Sequence, residues 1–388
     1  MNFGLNKEEQ EIIAEVRAYV ASEATDALRE ELAVNETVYG GALSRAFIKP
    51  FAAKGWLVPN WPRRYGGLES SEMVSYLIRD ELAQADIVIA FAGAHMGGPM
   101  ILRDGSDAMK QEFLPRLASG EIEFCLGYTE PGAGSDLMGL KMHAEDKGDY
   151  FLVNGQKVFN THAHVADYHW LAVRTDPTVP KHHGISILVV DLDSPGITIR
   201  PLQTMAGSRT NEVFYDDVRV PKDRLLGKMN MGLRYIMGAL DYERMFLYGQ
   251  YEYFLGELLA YVKTATIDDR PASQDPLIRQ RIAQMRMELE ICRLMYYQLA
   301  CMLDKGTIPS YQSSMEKLFV TEYAQRLADA ALEILGQFGQ LTEGSKEVRL
   351  RGKAEQLYRK AVVETIYGGS SEIQRNIIAQ RGLSLPRN

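Results

Sequence analysis

Cysteine is scarce. Three occur in 388 residues, Cys125, Cys292 and Cys301, and no two are spaced as Cys-x-x-Cys. That argues against a disulfide scaffold or a cysteine zinc site and fits a reducing compartment. Also missing is any apolar stretch free of charge for the length a bilayer crossing needs. The start, MNFGLNKEEQEII, has neither a basic n-region nor an apolar h-region. It reads as the beginning of a helix, which leaves the cytoplasm as the default location. An excess of basic residues is lacking too. The formal charge is −8, which opposes bulk nucleic-acid binding and leaves any anionic ligand to local basic groups. No repeat, no low-complexity tract and no βαβ alternation is found, so a doubly wound dinucleotide-binding sheet is not indicated.

What is there divides in three, as a chain too long for one small core should. Residues 1–122 carry Ala, Glu, Leu and Met at helical spacing, with Leu5, Glu8 and Glu9 opening one helix. Met73, Leu77, Ile78 and Leu82 form the apolar stripe of another. Residues 123–230 change to alternation and β-branched runs. FLVNGQKVF places Asn-Gly between strand-like segments, a hairpin signal, and HWLAVRT, GISILVVDL, GITIRPL and NEVFYDDVRVP read as further strands. Residues 231–388 return to long helices, expected over 231–264, 276–305, 311–339 and 346–366. The class is α+β: a helical domain, a small antiparallel β-domain and a four-helix bundle.

The most specific string is Thr129-Glu130-Pro131-Gly132-Ala133-Gly134-Ser135-Asp136, at the entry to the β-domain. A Gly-x-Gly pair alone is more often turn geometry than a cofactor site. The full string resembles the TEPGAGSD signature of the acyl-CoA dehydrogenases. Tyr65-Gly66-Gly67, Asn154-Gly155-Gln156-Lys157, Asp217-Val218-Arg219-Val220-Pro221 and Ile366-Tyr367-Gly368-Gly369-Ser370-Ser371-Glu372-Ile373-Gln374-Arg375 match that family in the same order. The resemblance spans almost the whole chain. It implies an FAD lying between the β-domain and the bundle, an acyl-CoA substrate, an electron-transferring flavoprotein as acceptor and a homotetramer.

By position, the resemblance assigns the cofactor to Leu126, Tyr128, Thr129, Gly134, Ser135, Phe159, Thr161, Arg270, Glu333, Gly336, Gln337, Ser370 and Glu372. Small residues in the glycine turn let backbone N–H groups approach an anion. Phe159 stands where the family usually has Trp, and either ring can cover a flavin edge. Glu333 and the segment after Arg270 depart from the family pattern. A carboxylate near the pyrophosphate is unfavourable unless it accepts a ribose hydroxyl or pairs with a cation. Ser135, Tyr242, Arg244, Tyr367 and Gly369 are expected on the substrate side.

The reaction needs a base for the α-proton. Many members carry it as Glu in a string of the form IYEGT, but Gly368 occupies that position here. Either the chain is inactive or the base lies elsewhere. Leu240-Asp241-Tyr242-Glu243-Arg244 resembles the segment that carries the base in isovaleryl-CoA dehydrogenase-like members. The helical neighbours of Glu243 are Ala239, Leu240, Phe246 and Leu247, all apolar. Burial among them would lift a carboxyl toward the range of a general base. Gly368 would still offer its backbone N–H to the thioester carbonyl. Clearing its side chain favours a branched, cyclic or bulky acyl group.

Other features carry less. His162, His164 and His169 lie close in sequence, but no acidic or cysteine partner completes a set, so no metal is expected. The Met and Tyr stripes from 285 to 302 read as bundle core or subunit interface. The charge run from Lys346 to Lys360 reads as a helix face with ion pairs. A rival reading is a non-catalytic subunit that completes a partner's FAD site in a mixed dehydrogenase complex.

Overall fold

The computed structural model describes residues 5–35, 40–87, 92–243, 248–267 and 269–386, with residue 35 and residues 241–243 described in their backbone alone. The N-terminal helices are α1 (Lys7–Glu23), α2 (Asp26–Asn35), α3 (Ala42–Ala53), α4 (Glu72–Gln84), α5 (Gly98–Asp104) and α6 (Asp107–Ala118). Their starts follow from local chemistry. The Asn6 side chain accepts from the Glu9 N–H at 3.0 Å while the Glu9 carboxylate accepts from the Asn6 N–H at 2.9 Å, a reciprocal capping box. Ser71 and Ser106 cap α4 and α6. The expected stripe on α4 is buried at Met73, Ile78 and Leu82. A π-turn, Gly93–Gly97, precedes α5.

The central sheet holds β1 (Phe124–Gly127), β2 (His143–Asp146), β3 (Tyr150–Lys157), β4 (Tyr168–Arg174), β5 (Ile185–Asp191), β6 (Ile197–Gln203) and β7 (Arg209–Pro221). Pairing is antiparallel for β2–β3, β3–β7, β6–β7 and β4–β5. Parallel pairing is confined to β1 against β4 and the single pair His143–Arg174. The Asn-Gly hairpin is corrected by the structure. β3 runs through Asn154-Gly155, and the pairing with β7 shifts register between Val153 and Gly155. Gly155 has φ 140°, and a Cβ there would meet Met142 Cγ at 2.7 Å. The Asn154 amide bonds the Asp217 backbone and carboxylate, each at 2.9 Å. The dipeptide makes a bulge, not a turn, because the long β7 continues to pair on both sides of it.

The C-terminal part comprises α7 (Gly232–Glu243), α8 (Gly249–Thr264), a short ribbon of β8 (Thr266–Ile267) and β9 (Arg270–Pro271), α9 (Pro276–Asp304), α10 (Tyr311–Leu335), α11 (Lys353–Glu364) and α12 (Ser371–Ile377). Of the helix expected over 231–264, residues 244–247 lie outside the described residues. The helix expected to 339 stops at Leu335, where Gly336 takes φ 55° and ψ −132°. The helix expected from 346 starts at Lys353, because Leu350, Arg351 and Gly352 all have positive φ. The charge run therefore forms ion pairs mostly at the mouth of α11, Arg351–Glu257 at 2.8 Å and Lys353–Glu257 at 3.2 Å. Leu258, Leu289, Tyr296, Val320 and Leu327 fill the bundle core, each burial worth about 1.5–3 kcal/mol. A second core joins Phe124, Trp170 and Ile187 of the sheet to Tyr235, Ile236 and Ala239 of α7. It seats α7 against the π-turn and β5.

Candidate active site

The glycine turn is shaped by its glutamate. Glu130 and Ala133 exchange backbone hydrogen bonds at 3.0 and 3.1 Å. The buried Glu130 carboxylate accepts from the N–H groups of Lys141 (2.7 Å) and Met142 (2.9 Å) and from Lys157 Nζ (2.8 Å). Lys157 is wholly buried and also donates to the Tyr128 carbonyl at 3.1 Å. Burial brings Lys157 down to about 8, with Glu130 opposing the shift. Thus two strings that look separate in sequence are joined by one buried ion pair.

The turn leaves open space where it bends. Gly132 and Gly134 have no positive φ, and a Cβ on either would meet no atom within 4 Å. Neither the conformation nor the packing of the chain calls for glycine there. Space held open beside exposed backbone fits a ligand that approaches closely. Ser135 is exposed, and Asp136 pairs with Lys181 at 2.7 Å. Beyond them lies a groove of about 680 Å³ lined in part by Lys141, Arg174 and Lys181.

A second turn sits against the first. The Val158 N–H donates to the Thr129 carbonyl at 2.9 Å. Phe159 has φ 59° and is 61% exposed, and His162 has φ 64°. Left-handed backbone at residues with side chains is strained and concentrates at functional sites. The strain is held by Asn160, 1% exposed, whose amide donates to the Leu126 carbonyl at 2.7 Å. Asn211 donates to the Asn160 carbonyl at 2.9 Å. Sequence reasoning missed both asparagines; a polar residue inside a strand-like run was the available signal. Thr161 is exposed, with its hydroxyl 3.5 Å from that of Thr210. Tyr128 keeps its ring inside, where its hydroxyl accepts from Trp170 Nε1 at 3.0 Å. His169 is buried and bonds Tyr215 at 2.8 Å, while His164 bonds Asn211. Among the described residues no three His, Cys, Asp or Glu side chains are arranged to hold a metal ion.

The third component is the loop between α11 and α12. Gly368 and Gly369 have φ 64° and 92°. The Gly368 N–H has no backbone acceptor among the described residues. Tyr367 is 44% exposed, and Ser370 caps α12 through the Ile373 N–H. Glu372 is exposed, its carboxyl held below the usual range by the Ser370 hydroxyl. Beneath the loop, the buried Glu364 accepts from the Tyr251 hydroxyl at 2.6 Å, and burial pushes its carboxyl up.

At the far end of α10, Gly336 and Gln337 are exposed, and Glu333 pairs with Arg281 at 3.2 Å. Arg270 is exposed on β9. Glu243 closes α7, but its side chain and that of Tyr242 lie outside the described residues, as does Arg244 altogether. Of the apolar neighbours of Glu243, Ala239 is buried and Leu240 partly so. Phe246 and Leu247 are not among the described residues.

The chain matches three family descriptions in order: Acyl-CoA dehydrogenase, N-terminal domain over residues 6–121, middle domain over 125–218 and C-terminal domain over 230–383. Acyl-CoA dehydrogenase FadE26 of Mycobacterium tuberculosis is 34% identical, over 100% of this chain and 99% of the relative. Among solved structures, the Tcur3481-Tcur3483 steroid ACAD superposes with TM-score 0.91 at 33% identity over 100% of both chains. The ChsE4-ChsE5 complex from Mycobacterium tuberculosis does so with TM-score 0.89 at 34% identity, again over 100% of both. With the open glycine turn and the strained aromatic beside it, these matches leave no other assignment: the chain belongs to the acyl-CoA dehydrogenase family, the FAD-dependent oxidoreductases of acyl-CoA thioesters.

Proposed function

We propose that the protein introduces a double bond between the α- and β-carbons of an acyl-CoA, with Glu243 taking the α-proton. The observation that carries this is the Gly368–Gly369 turn, where consecutive left-handed glycines offer a backbone donor and no carboxylate. The proton acceptor must then come from another element. Glu243 ends a helix seated on the π-turn and β5, and an apolar setting lifts a carboxyl toward the range of a general base. The Gly368 N–H polarises the thioester carbonyl, a role in which one donor is worth about 3–4 kcal/mol. Bound FAD supplies the hydride acceptor.

Thr129, Gly134 and Ser135 hold the cofactor through the glycine turn, with Leu126 and Tyr128 behind it, and Phe159 and Thr161 border the flavin. Glu333, Gly336, Gln337 and Arg270 serve its polar end, where Arg281 neutralises Glu333. Ser370 and Glu372 complete the flavin side. Ser135, Tyr242, Arg244, Tyr367 and Gly369 take the acyl-CoA. The absence of a side chain at 368 suits a bulky acyl group, and the steroid relative makes polycyclic thioesters the class to try first. Electrons leave to an electron-transferring flavoprotein in the cytoplasm.

The test is Glu243→Gln. It should hold FAD and lose rapid bleaching by substrate. Rapid bleaching in the variant would remove Glu243 as the base. Assembly has two readings, a homotetramer and a mixed complex, the second favoured by relatives solved as two-component assemblies. Purification of the chain alone separates them. A yellow protein that an acyl-CoA bleaches excludes the scaffold role, and a colourless one supports it.

A further inference from the structure

We infer that Lys317 and Gln374 are positioning residues that fix the angle at which the Gly368 N–H meets the thioester; this rests on the role proposed above for that N–H. Both side chains are wholly buried, one on α10 and one on α12. Lys317 Nζ donates to the Gly369 carbonyl and to the Glu364 carbonyl, each at 3.0 Å. Gln374 Nε2 donates to the carbonyls of Gly368 and Gly369, each at 2.9 Å. Every carbonyl of the glycine pair is thus held from the protein side, while the Gly368 N–H is left without a backbone acceptor among the described residues.

The clamp answers a specific difficulty. Two glycines in sequence are the most conformationally free pair a chain can carry, and a donor that wanders contributes little to a transition state. Fixing both carbonyls holds the peptide planes that follow Gly368 and Gly369, so the Gly368 N–H, one residue's rotation away, can turn only about the φ and ψ of Gly368. The clamp also explains why position 369 is glycine: a Cβ there would lie 2.6 Å from Gln374 Nε2, at φ 92°. The lysine contributes a second effect. Its ammonium, bonded to the Gly369 carbonyl, brings a buried positive charge to the segment that carries the Gly368 N–H.

A purely structural role for the pair would be to tie the end of α11 to α12. The discriminating readout is the polarisation of a bound thioester. The probe is an arylacryloyl-CoA, whose absorption band moves to the red when its carbonyl is polarised. In the full holoenzyme the wild type should show that shift. Lys317→Met and Gln374→Met should each keep FAD, lose most of the shift and lower kcat about 10- to 100-fold, with KM changed by less than about threefold. FAD-loaded variants with an undiminished shift and kcat within about twofold of wild type would overturn the clamp. A wild type without any shift instead sinks the role of the N–H itself. Amide exchange in the wild type covers the case in which neither variant folds. The bonded N–H groups of Ile366, Tyr367 and Ser371 should then exchange as slowly as those of α10, and rapid exchange at these three would refute the clamp.

Discussion

Lys157→Met removes the ion pair on which the glycine turn is built. Methionine keeps most of the volume and deletes two hydrogen bonds, to Glu130 Oε1 at 2.8 Å and to the Tyr128 carbonyl at 3.1 Å. Glu130 is then a buried carboxylate left with two backbone donors, the N–H groups of Lys141 and Met142. Stranding one member of a buried pair costs about 3–5 kcal/mol. The surviving donors put the figure at the lower end, about 3 kcal/mol, and the expected fall in melting temperature is about 5 °C. Because the same carboxylate sets the turn around Gly132 and Gly134, FAD affinity should fall about tenfold, or about 1.4 kcal/mol. Differential scanning fluorimetry with and without saturating FAD reads the first quantity, and flavin fluorescence on dilution reads the second. Adding Glu130→Gln should cost less in the variant than in the wild type by about 1–3 kcal/mol. A variant that melts within a degree of wild type and holds FAD equally would refute the reasoning. The deficit also has a pH dependence. Lys157 titrates near 8 in the folded protein and near about 10.4 unfolded. Between those values the unfolded chain holds a proton the native state has released, so wild-type stability gains with pH from this group. The methionine variant lacks that gain, and its deficit should widen above pH 8.

Gly134→Ala adds a Cβ that meets no atom within 4 Å. It should melt within about 0.5 kcal/mol of wild type yet release FAD at least about tenfold faster; unchanged release in a fluorescence assay would show that the glycine is not kept for the cofactor. Asp80 is 3% exposed, accepts from Tyr248 at 2.9 Å and Gln84 at 2.7 Å, and is pushed by burial up to about 6. Between about pH 4 and 6 the native state holds a proton that the unfolded state has lost, so stability falls as pH rises through that window. Asp80→Asn should therefore melt higher than wild type at pH 8 and converge with it below pH 4, and a constant difference across that range in a thermal-melt series would refute the assignment.

The helices were legible because their signals are local. Asn6 with Glu9, Ser71 and Ser106 announce their caps within one turn of chain. The stripe on α4 needs nothing beyond its own periodicity. Errors arose where a distant partner decided the outcome. Asn154-Gly155 has the composition of a hairpin, yet Asp217 holds the asparagine and Met142 excludes a side chain at the glycine. Arg351 and Gly352 break a run of helix formers because their backbone is left-handed. The signature string was visible as a string, but the function of its glutamate was not. Glu130 and Lys157 are 27 residues apart, and nothing in either segment names the other.

The glycine pair shows why a backbone-based site is the hardest kind to read. A catalytic carboxylate is a letter in the sequence; a peptide N–H is present at almost every position and becomes special only through what fixes it. At Gly368 the fixing groups come from Lys317, 52 residues before Gly369, and from Gln374, which starts from the next helix. Taken alone, Lys317 reads as one more charge on a helix and Gln374 as one more polar residue near the end of the chain. Their burial is what separates them from the exposed Lys and Gln residues around them, since a buried ammonium is tolerated only where acceptors are in place to receive it. On the role proposed for the Gly368 N–H, the same reasoning lets a site with glycine at 368 remain usable. The donor belongs to the main chain, its direction is set by side chains at other positions, and the proton acceptor is free to sit on a different element.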